Sequence, residues 1–544
     1  MTTAFSTNWD VARAVALQSD GKIVAAGESL TGSSFDFALA RYNADGSLDT
    51  SFGSGGKVTT DFASNFDTAL AVTVQSDGKI LAAGERSDGS HFDFALARYN
   101  ADGSLDSSFG SGGKVTDSIG PGSDAIQDIA LQPDGKIVVA GFSTAAATSD
   151  DFALARYNAN GTLDTSFGSG GHVVTVFNAD YDDAFAVLLQ PDGKIVAVGN
   201  AGNATGTQYF FALARYNADG SPDSSFGSGG KVTTAIGSKD DEAFAGALQP
   251  DGKIVAGGYM RGSSGSQRLF ALVRYNGNGS LDATFGSGGN VTASIGTYDY
   301  VDGLALQPDG KIVAAGIVSP SGVSGDSDFG VARYNADGSL DPTFGSGGFV
   351  TISFGSTSQV GQAMALQPNG KIVVVGDVNN GSTMAPDLDF AVARVLGSTL
   401  TVAKAGTGSG TVTSSPAGID CGPTCSAPFA AVSVTLTATP AKGSYLAGWS
   451  GDCSGKGKCT LMMSADHAVT ARFQPQCVVP KVKGKKLAAA KRAIKKANCS
   501  VGRVTKAFSA KVKKGRVISQ KPAPGKKLPY HAKVKLKVSK GPRS

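Results

Sequence analysis

The chain has 544 residues, 41% of them hydrophobic, with 74 glycines and only 17% charged side chains. That balance excludes a disordered chain and a single small domain, and it fits about three turn-rich β domains. The net charge of +4 conceals two opposed parts: residues 477–544 hold 22 Lys plus Arg and no acid, which leaves 27 basic against 45 acidic residues elsewhere.

One stretch, LQPDGKIVVAG at Leu131 to Gly141, organises the chain because its core returns seven times. The lysine after its turn falls at Lys22, Lys79, Lys136, Lys194, Lys253, Lys311 and Lys371, spacings of 57 to 60 residues. Each copy predicts four strands. Ala12 to Gln18 and Lys22 to Gly27 are joined by a Ser/Pro-Asp-Gly turn that suits a three-residue hairpin loop with a left-handed glycine. DFALARY at Asp36 to Tyr42 alternates with period two, and after a loop rich in Asn, Asp, Ser and Gly the β-branched pattern resumes at Val58 to Phe62. Seven repeats of four strands make a seven-bladed β-propeller. The seventh copy stops at DFAVARV (Asp389 to Val395) without a fourth strand, whereas Met1 to Phe5 lines up with Val58 to Phe62. The N-terminal strand is therefore expected to close the ring in the last blade, leaving no exposed sheet edge.

Asp10, Asp67, Asp124, Asp182, Asp241 and Asp299, with Gln359 in the seventh copy, precede the first strand of each blade. They are candidates for a carboxylate ring at the mouth of the central channel, or for turn residues that start each strand. Asn43, Asp45 and Asp49 resemble a calcium loop only weakly, since Arg41 occupies the place of its first carboxylate. Departures from the repeat point elsewhere: Asp36, Asp93, Asp151, Asp328 and Asp389 give way to Phe210 and Leu269 in copies four and five, which also carry Tyr209, Tyr259 and Arg268. These residues are a candidate partner surface. His91 and His172 occupy unrelated positions and no phosphate loop lies between a strand and a helix, so a non-enzyme without cofactor or metal is expected. VALQ, DGKIVAAG, FALARYN and LDTSFGSGG over residues 1–397 resemble the delta-60 repeats of bacterial β-propellers, which implies a scaffold and no particular chemistry.

All six cysteines, Cys421, Cys425, Cys453, Cys459, Cys477 and Cys499, lie beyond the propeller. Their even number argues for disulfides and an oxidising compartment; the spacings CGPTC and CSGKGKC do not match a zinc knuckle. Residues 399–474, with IDCGPTCSAPF, VTLTATP, GWSGDCSG and VTARF, resemble the divergent internalin B-repeat-like domains of bacterial surface proteins. The resemblance implies a spacer or adhesion module with Cys421–Cys425 and Cys453–Cys459 bridges and Trp449 in its core.

Residues 477–541 change character again. Leu487, Ala490, Ile494 and Ala497 share one helical face, and Val534, Leu536 and Val538 alternate with lysines. One helix on a small sheet follows, stapled by a Cys477–Cys499 bridge. VPKVKG, Gly515, Gln520, Pro522, Pro524, Gly525 and the terminal SKG resemble a PASTA domain, which implies recognition of peptidoglycan or another anionic wall polymer. The candidate contacts are Lys485, Lys486, Arg516, Gln520, Lys526 and Lys527. Non-specific nucleic-acid binding is the rival for so basic a tail, but Phe508 and Tyr530 alone make a poor stacking platform. LPYHA at Leu528 to Ala532 lacks the threonine and apolar tail of a sortase signal.

The expected whole is a mostly β protein, monomeric and secreted or wall-associated. A seven-bladed propeller closed by its N-terminal strand presents a surface to a protein or glycan, and a small disulfide-bonded β domain and a small α+β domain follow it. A glycan-active propeller enzyme is the alternative. No run of roughly 18 apolar residues offers a membrane span, and no signal peptide is visible. Met1 stands where the repeat has a valine, so the start is expected to be internal, with a signal peptide upstream.

Overall fold

The computed structural model describes residues 1–543 except 7, 63–64, 145–148, 179–180, 204, 264, 266, 320–325, 356–357, 369, 382–386, 396–398, 416, 422–424, 430–432 and 464–465. The chain divides into two compact units, Met1–Val395 and Leu396–Ser544. The expected boundary at 397 lies outside the described residues.

The first unit is a ring of seven antiparallel blades. Blade one is Asp10–Leu17, Ile23–Thr31, Ser34–Tyr42 and Lys57–Thr60, running in that order from the channel outward. The Gln18 to Lys22 turn is built as the sequence predicts: Gly21 N–H donates to the Gln18 carbonyl and Gly21 adopts φ of 86°. Blade seven comprises Gln359–Leu366, Ile372–Asn379 and Leu388–Val395, completed by Thr2–Thr3, which pairs antiparallel with Ala391 and Phe390. The closure reuses the contacts of the other blades. Tyr42 Oη donates to Thr3 Oγ1 at 2.9 Å, as Tyr99 does to Thr60 and Tyr275 to Thr234, so each of these blades is tied to the outer strand of the one before. Blades five and six are also linked by a parallel contact between Arg268 and Tyr298.

Seven hydrophobic cores fill the spaces between successive blades, the seventh joining Val373, Val375 and Phe390 of blade seven to Ala12, Ile23 and Tyr42 of blade one. The recurring charged residues do structural work at the rim of each blade. Arg41 Nε meets Asp49 Oδ2 at 2.8 Å, Lys22 Nζ meets the same oxygen at 3.1 Å, the guanidinium covers Phe52, and its Nη1 reaches the Ala101 carbonyl in the next blade. The trio repeats as Lys79–Asp106–Arg98, Lys136–Asp164–Arg156, Lys194–Asp223–Arg215, Lys253–Asp282–Arg274 and Lys311–Asp341–Arg333. Blade seven has no such loop, and Arg394 instead donates to the Ala44 carbonyl of blade one. A buried carboxylate shared by two cations is favourable only when its remaining lone pairs are also used, and Ser51 supplies both its N–H and its hydroxyl to Asp49 Oδ1.

The second unit begins with two sheets. One orders Ser426–Pro428, Thr399–Ala405, His467–Pro475 and Ser444–Gly451; the other orders Gly410–Ser415, Ser433–Pro440 and Cys459–Met462. Trp449 packs between them with Leu400, Leu436 and Phe473, and its indole N–H donates to the Gly457 carbonyl. The remainder is the helix Leu487–Lys496 on the sheet Ser500–Ala507, Lys533–Ser539 and Val517–Lys521. Ala490 and Ile494 are fully buried, with Leu487 and Ala497 packed at the margin of the same core. The three disulfides are Cys421–Cys425, Cys453–Cys459 and Cys477–Cys499. No helix among the described residues is long and apolar enough to cross a membrane.

Candidate functional site

In every blade the first strand is interrupted by a β-bulge three residues after the leading Asp or Gln. The register skips Arg13, Leu70, Gln127, Phe185, Phe244, Asp302 and Gln362 in turn. A bulge re-aims its extra residue, and these seven side chains line a channel cavity of about 360 Å³ to which all seven blades contribute. The glycine that ends DGKIVAAG stands opposite the bulge: a Cβ on Gly141 would sit 1.8 Å from the Ala125 carbonyl oxygen, and the same holds at Gly199 and Gly258. The repeat therefore fixes a glycine in one strand so that the neighbouring strand can present one freely variable side chain to the channel.

That variable ring is chemically uneven. On blades four to six Phe185 meets Phe244 edge-on at 5.1 Å, and Phe244 lies 5.9 Å from Tyr259, which lies 5.1 Å from Tyr300. Arg268 sits over the rings of Tyr259 and Tyr300 at 4.5 and 4.7 Å. Tyr259 Oη donates to Glu242, whose carboxyl burial pushes above its ordinary range. Burial pushes Asp183 up to about 7 and Asp302 up to about 8. On the opposite side Arg13 pairs with Glu28 at 2.9 Å; Glu85 is pushed up to about 7 by burial and by Glu28, and Asp377 up to about 6 by burial. Asp302, Phe185 and Phe244 thus line the cavity itself, and Glu242 is joined to them through Tyr259.

The six repeated aspartates form no open ring at a channel mouth. All six are fully buried, and each accepts a main-chain N–H from the loop before its strand: Phe5 to Asp10, Phe62 to Asp67, Ile119 to Asp124, Phe177 to Asp182, Ile236 to Asp241 and Ile295 to Asp299, at 2.6 to 2.8 Å. Gln359 does the same for Phe354. They are turn acceptors, the alternative their position in the repeat left open. Tyr259 and Arg268 form no exposed patch either: Tyr259 is 2% exposed, held in the stack beside the channel. Asn43 and Asp45 hold the Ser47 turn, and Asp49 belongs to the Lys–Asp–Arg trio. His172 bonds Asp117 at 2.8 Å.

In the tail, Lys485, Lys486, Lys526 and Lys527 are exposed. Arg516 donates to the Gly484 carbonyl, and Gln520 is an inward clamp, accepting from Val482 N–H and donating to the Pro480 carbonyl. Gln520 therefore acts through the fold, with its amide already engaged. The outward sheet face groups Arg503, Lys521, Lys535 and Lys537 around a hollow of about 200 Å³ with Thr505 and Ser519. The KVKLKV alternation signals those lysines in the sequence; that Arg503 and Lys521 join them is decided by strand order.

Seven four-stranded blades around a lined channel define the first unit as a β-propeller. Seven segments, 18–52, 75–109, 132–167, 190–226, 249–285, 307–344 and 367–396, match a family model described as a domain of unknown function (DUF5122) beta-propeller. Residues 400–477 match the divergent InlB B-repeat domain and 478–540 the PASTA domain. The chain is thus a β-propeller of that repeat family followed by an InlB-type repeat and a PASTA module, and the last points to a cell-wall-related role. No curated protein matches the chain. Similar solved structures include Chaetomium thermophilum Sqt1 bound to the N-terminus of ribosomal protein L10, at 14% identity, 72% of this chain, 98% of that chain and a TM-score of 0.35. Polysaccharide lyase Uly1 is 11% identical over 71% of this chain and 89% of its own, at 0.39. A PL25 ulvan lyase is 14% identical over 72% and 96%, at 0.37. Likenesses this distant carry no argument about activity.

Proposed function

We propose that this is a non-enzymatic protein of the bacterial exterior, in which the PASTA module holds peptidoglycan or another anionic wall polymer and the propeller acts as a monomeric interaction scaffold. The observation that carries the reading is the tail itself: residues 478–540 match the PASTA module, and residues 477–544 hold 22 cations with no acid. A surface of one sign attracts an oppositely charged polymer over about one Debye length. The propeller's repeated acids serve its turns and rims, which supports a scaffold role, and the aromatic sector of the channel is where a protein or glycan would be received.

The test is co-sedimentation of the full chain, and of a chain ending at Gln474, with purified bacterial cell walls at low salt and at about 0.5 M salt. The full chain alone should pellet, with part of the binding surviving high salt. Pelleting of both, of neither, or complete loss in salt would reduce the tail to a non-specific polycation. One observation favours a second reading, a glycan-active enzyme: Asp183, Glu242 and Asp302 combine raised carboxyls with neighbouring aromatic rings, an environment suited to a general acid. Release of reducing ends from wall polysaccharide by the wild type but not by Glu242→Gln would establish that reading and overturn the first.

A further inference from the structure

Where blade one meets blade two, Asp36, Asp61 and Asp67 bring one carboxylate oxygen each to within 4.8 Å of one another. Asp36 and Asp67 are 5% and 0% exposed, while Asp61 is open to solvent. Asp67 Oδ2 accepts the Phe62 N–H at 2.7 Å; its Oδ1, like Oδ1 of Asp36, is buried without a hydrogen-bond partner among the described residues. The nearest cations are engaged elsewhere: Arg86, across the ladder from Asp67, bonds Asp93 at 2.6 Å, and Lys114 donates to the Asp61 main-chain carbonyl.

The equivalent junctions show how the fold otherwise handles this position. Asp10 receives the Ser6 hydroxyl, and its neighbour Asp389 receives Asn380 Nδ2 at 2.7 Å. Asp93, beside Asp124, takes Arg86. Between blades six and seven the carboxylate is replaced by Gln359, whose Nε2 donates to Asp328 and to Ser353. Each of these junctions supplies a side-chain donor to at least one member of the pair, although Oδ1 of Asp124, like Oδ1 of Asp241, is also buried without a hydrogen-bond partner among the described residues. At the first junction the residue before the turn amide is Asp61, where the other blades carry Ala4, Ser118, Val176, Ala235, Ser294 and Ser353, so a third carboxylate stands where the others have none. A buried carboxylate oxygen without a donor or counter-ion is costly.

We infer that Asp36, Asp61 and Asp67 bind one calcium-like divalent cation that pins blade one to blade two. Oxygens on opposite sides of Ca²⁺, each about 2.4 Å from the ion, lie about 4.8 Å apart, and the ion takes carboxylate oxygens together with water. The solvent-open side at Asp61 leaves room for that water. The inference is independent of the wall-binding tail and of the channel.

The experiment titrates the EDTA-treated full chain with Ca²⁺ by calorimetry and with Tb³⁺ by luminescence excited through tryptophan. Trp9 packs edge-on against Phe35, the neighbour of Asp36, at 6.3 Å, which places a sensitiser beside the site. The wild type should show one saturable Ca²⁺ event, a Tb³⁺ signal displaced by Ca²⁺, and a Ca²⁺-dependent rise in unfolding temperature. Asp61→Ser installs a residue the repeat already accommodates and should weaken binding about tenfold or more with an unchanged circular dichroism spectrum. Asp36→Asn should do the same, and Trp9→Phe should abolish the luminescence but keep the calorimetric event. Equal Ca²⁺ affinity in the wild type and Asp61→Ser, or no saturable binding, overturns the site.

Discussion

Replacing Asp341 by asparagine tests whether the Lys–Asp–Arg trios hold the blades. Asp341 is 2% exposed; its Oδ2 takes Arg333 Nε at 2.8 Å and Lys311 Nζ at 2.9 Å, and its Oδ1 takes the Thr343 N–H and hydroxyl. Burial alone would raise its carboxyl, but Lys311, Thr343 and Arg333 together outweigh burial and hold it down to about 2, against an ordinary 3.8. At about 1.36 kcal/mol for each unit, that fall corresponds to roughly 2 kcal/mol of stability at neutral pH. An asparagine also turns an amide toward two cations, so the total loss should be about 3 kcal/mol. With an unfolding entropy of about 2.1 cal/mol/K per residue over Met1–Val395, the propeller transition should fall by about 4 °C. Because the folded carboxyl is depressed, its contribution is complete well above the ordinary value and disappears as pH falls through 3.8 toward 2. Scanning calorimetry of wild type and Asp341→Asn at pH 7 and pH 3 should show the gap shrink by roughly a third or more at the lower pH. No gap at pH 7, or an undiminished gap at pH 3, would refute the reasoning.

Other outcomes follow from the channel and the tail. Asp302 is raised, so the folded chain holds a proton the unfolded chain has lost, and stability falls as pH rises from about 4 to about 8; Asp302→Asn should melt like wild type only below the ordinary carboxyl value of 3.8 and increasingly above it as pH rises to about 8. Gly141→Ala drives a Cβ to 1.8 Å from the Ala125 carbonyl and should cost about 4 kcal/mol or more, seen as a lost or strongly lowered propeller transition. Cys499→Ser opens a link across 22 residues and should destabilise the tail by about 3 kcal/mol while the propeller transition stays in place.

Much of the fold is legible because the repeat writes the same physics seven times. The Ser/Pro-Asp-Gly turns, the period-two DFALARY strand and the missing fourth strand of the last copy determine blade number, blade composition and ring closure from local patterns alone. The helical face of Leu487, Ala490 and Ile494, the position of Trp449 and the three cysteine pairings are readable in the same way, each depending on short-range spacing or on a family pattern. The turn aspartates show the limit: their recurrence is plain, but only burial and the amide at Asp10 Oδ2 distinguish a loop acceptor from a channel ring. The channel residues are harder still, since their signal is one variable position, flanked by two small residues in five of the seven blades. A single bulge per blade, compelled by the glycine opposite, turns that variability into a lining. Whether Asp36, Asp61 and Asp67 meet depends on one blade packing against the next, across up to 31 residues of chain. Sequence determines what each strand must bury and where it must turn. The side chains that converge from different blades are set by the closed ring, because closure alone fixes the distance between strands that share no turn.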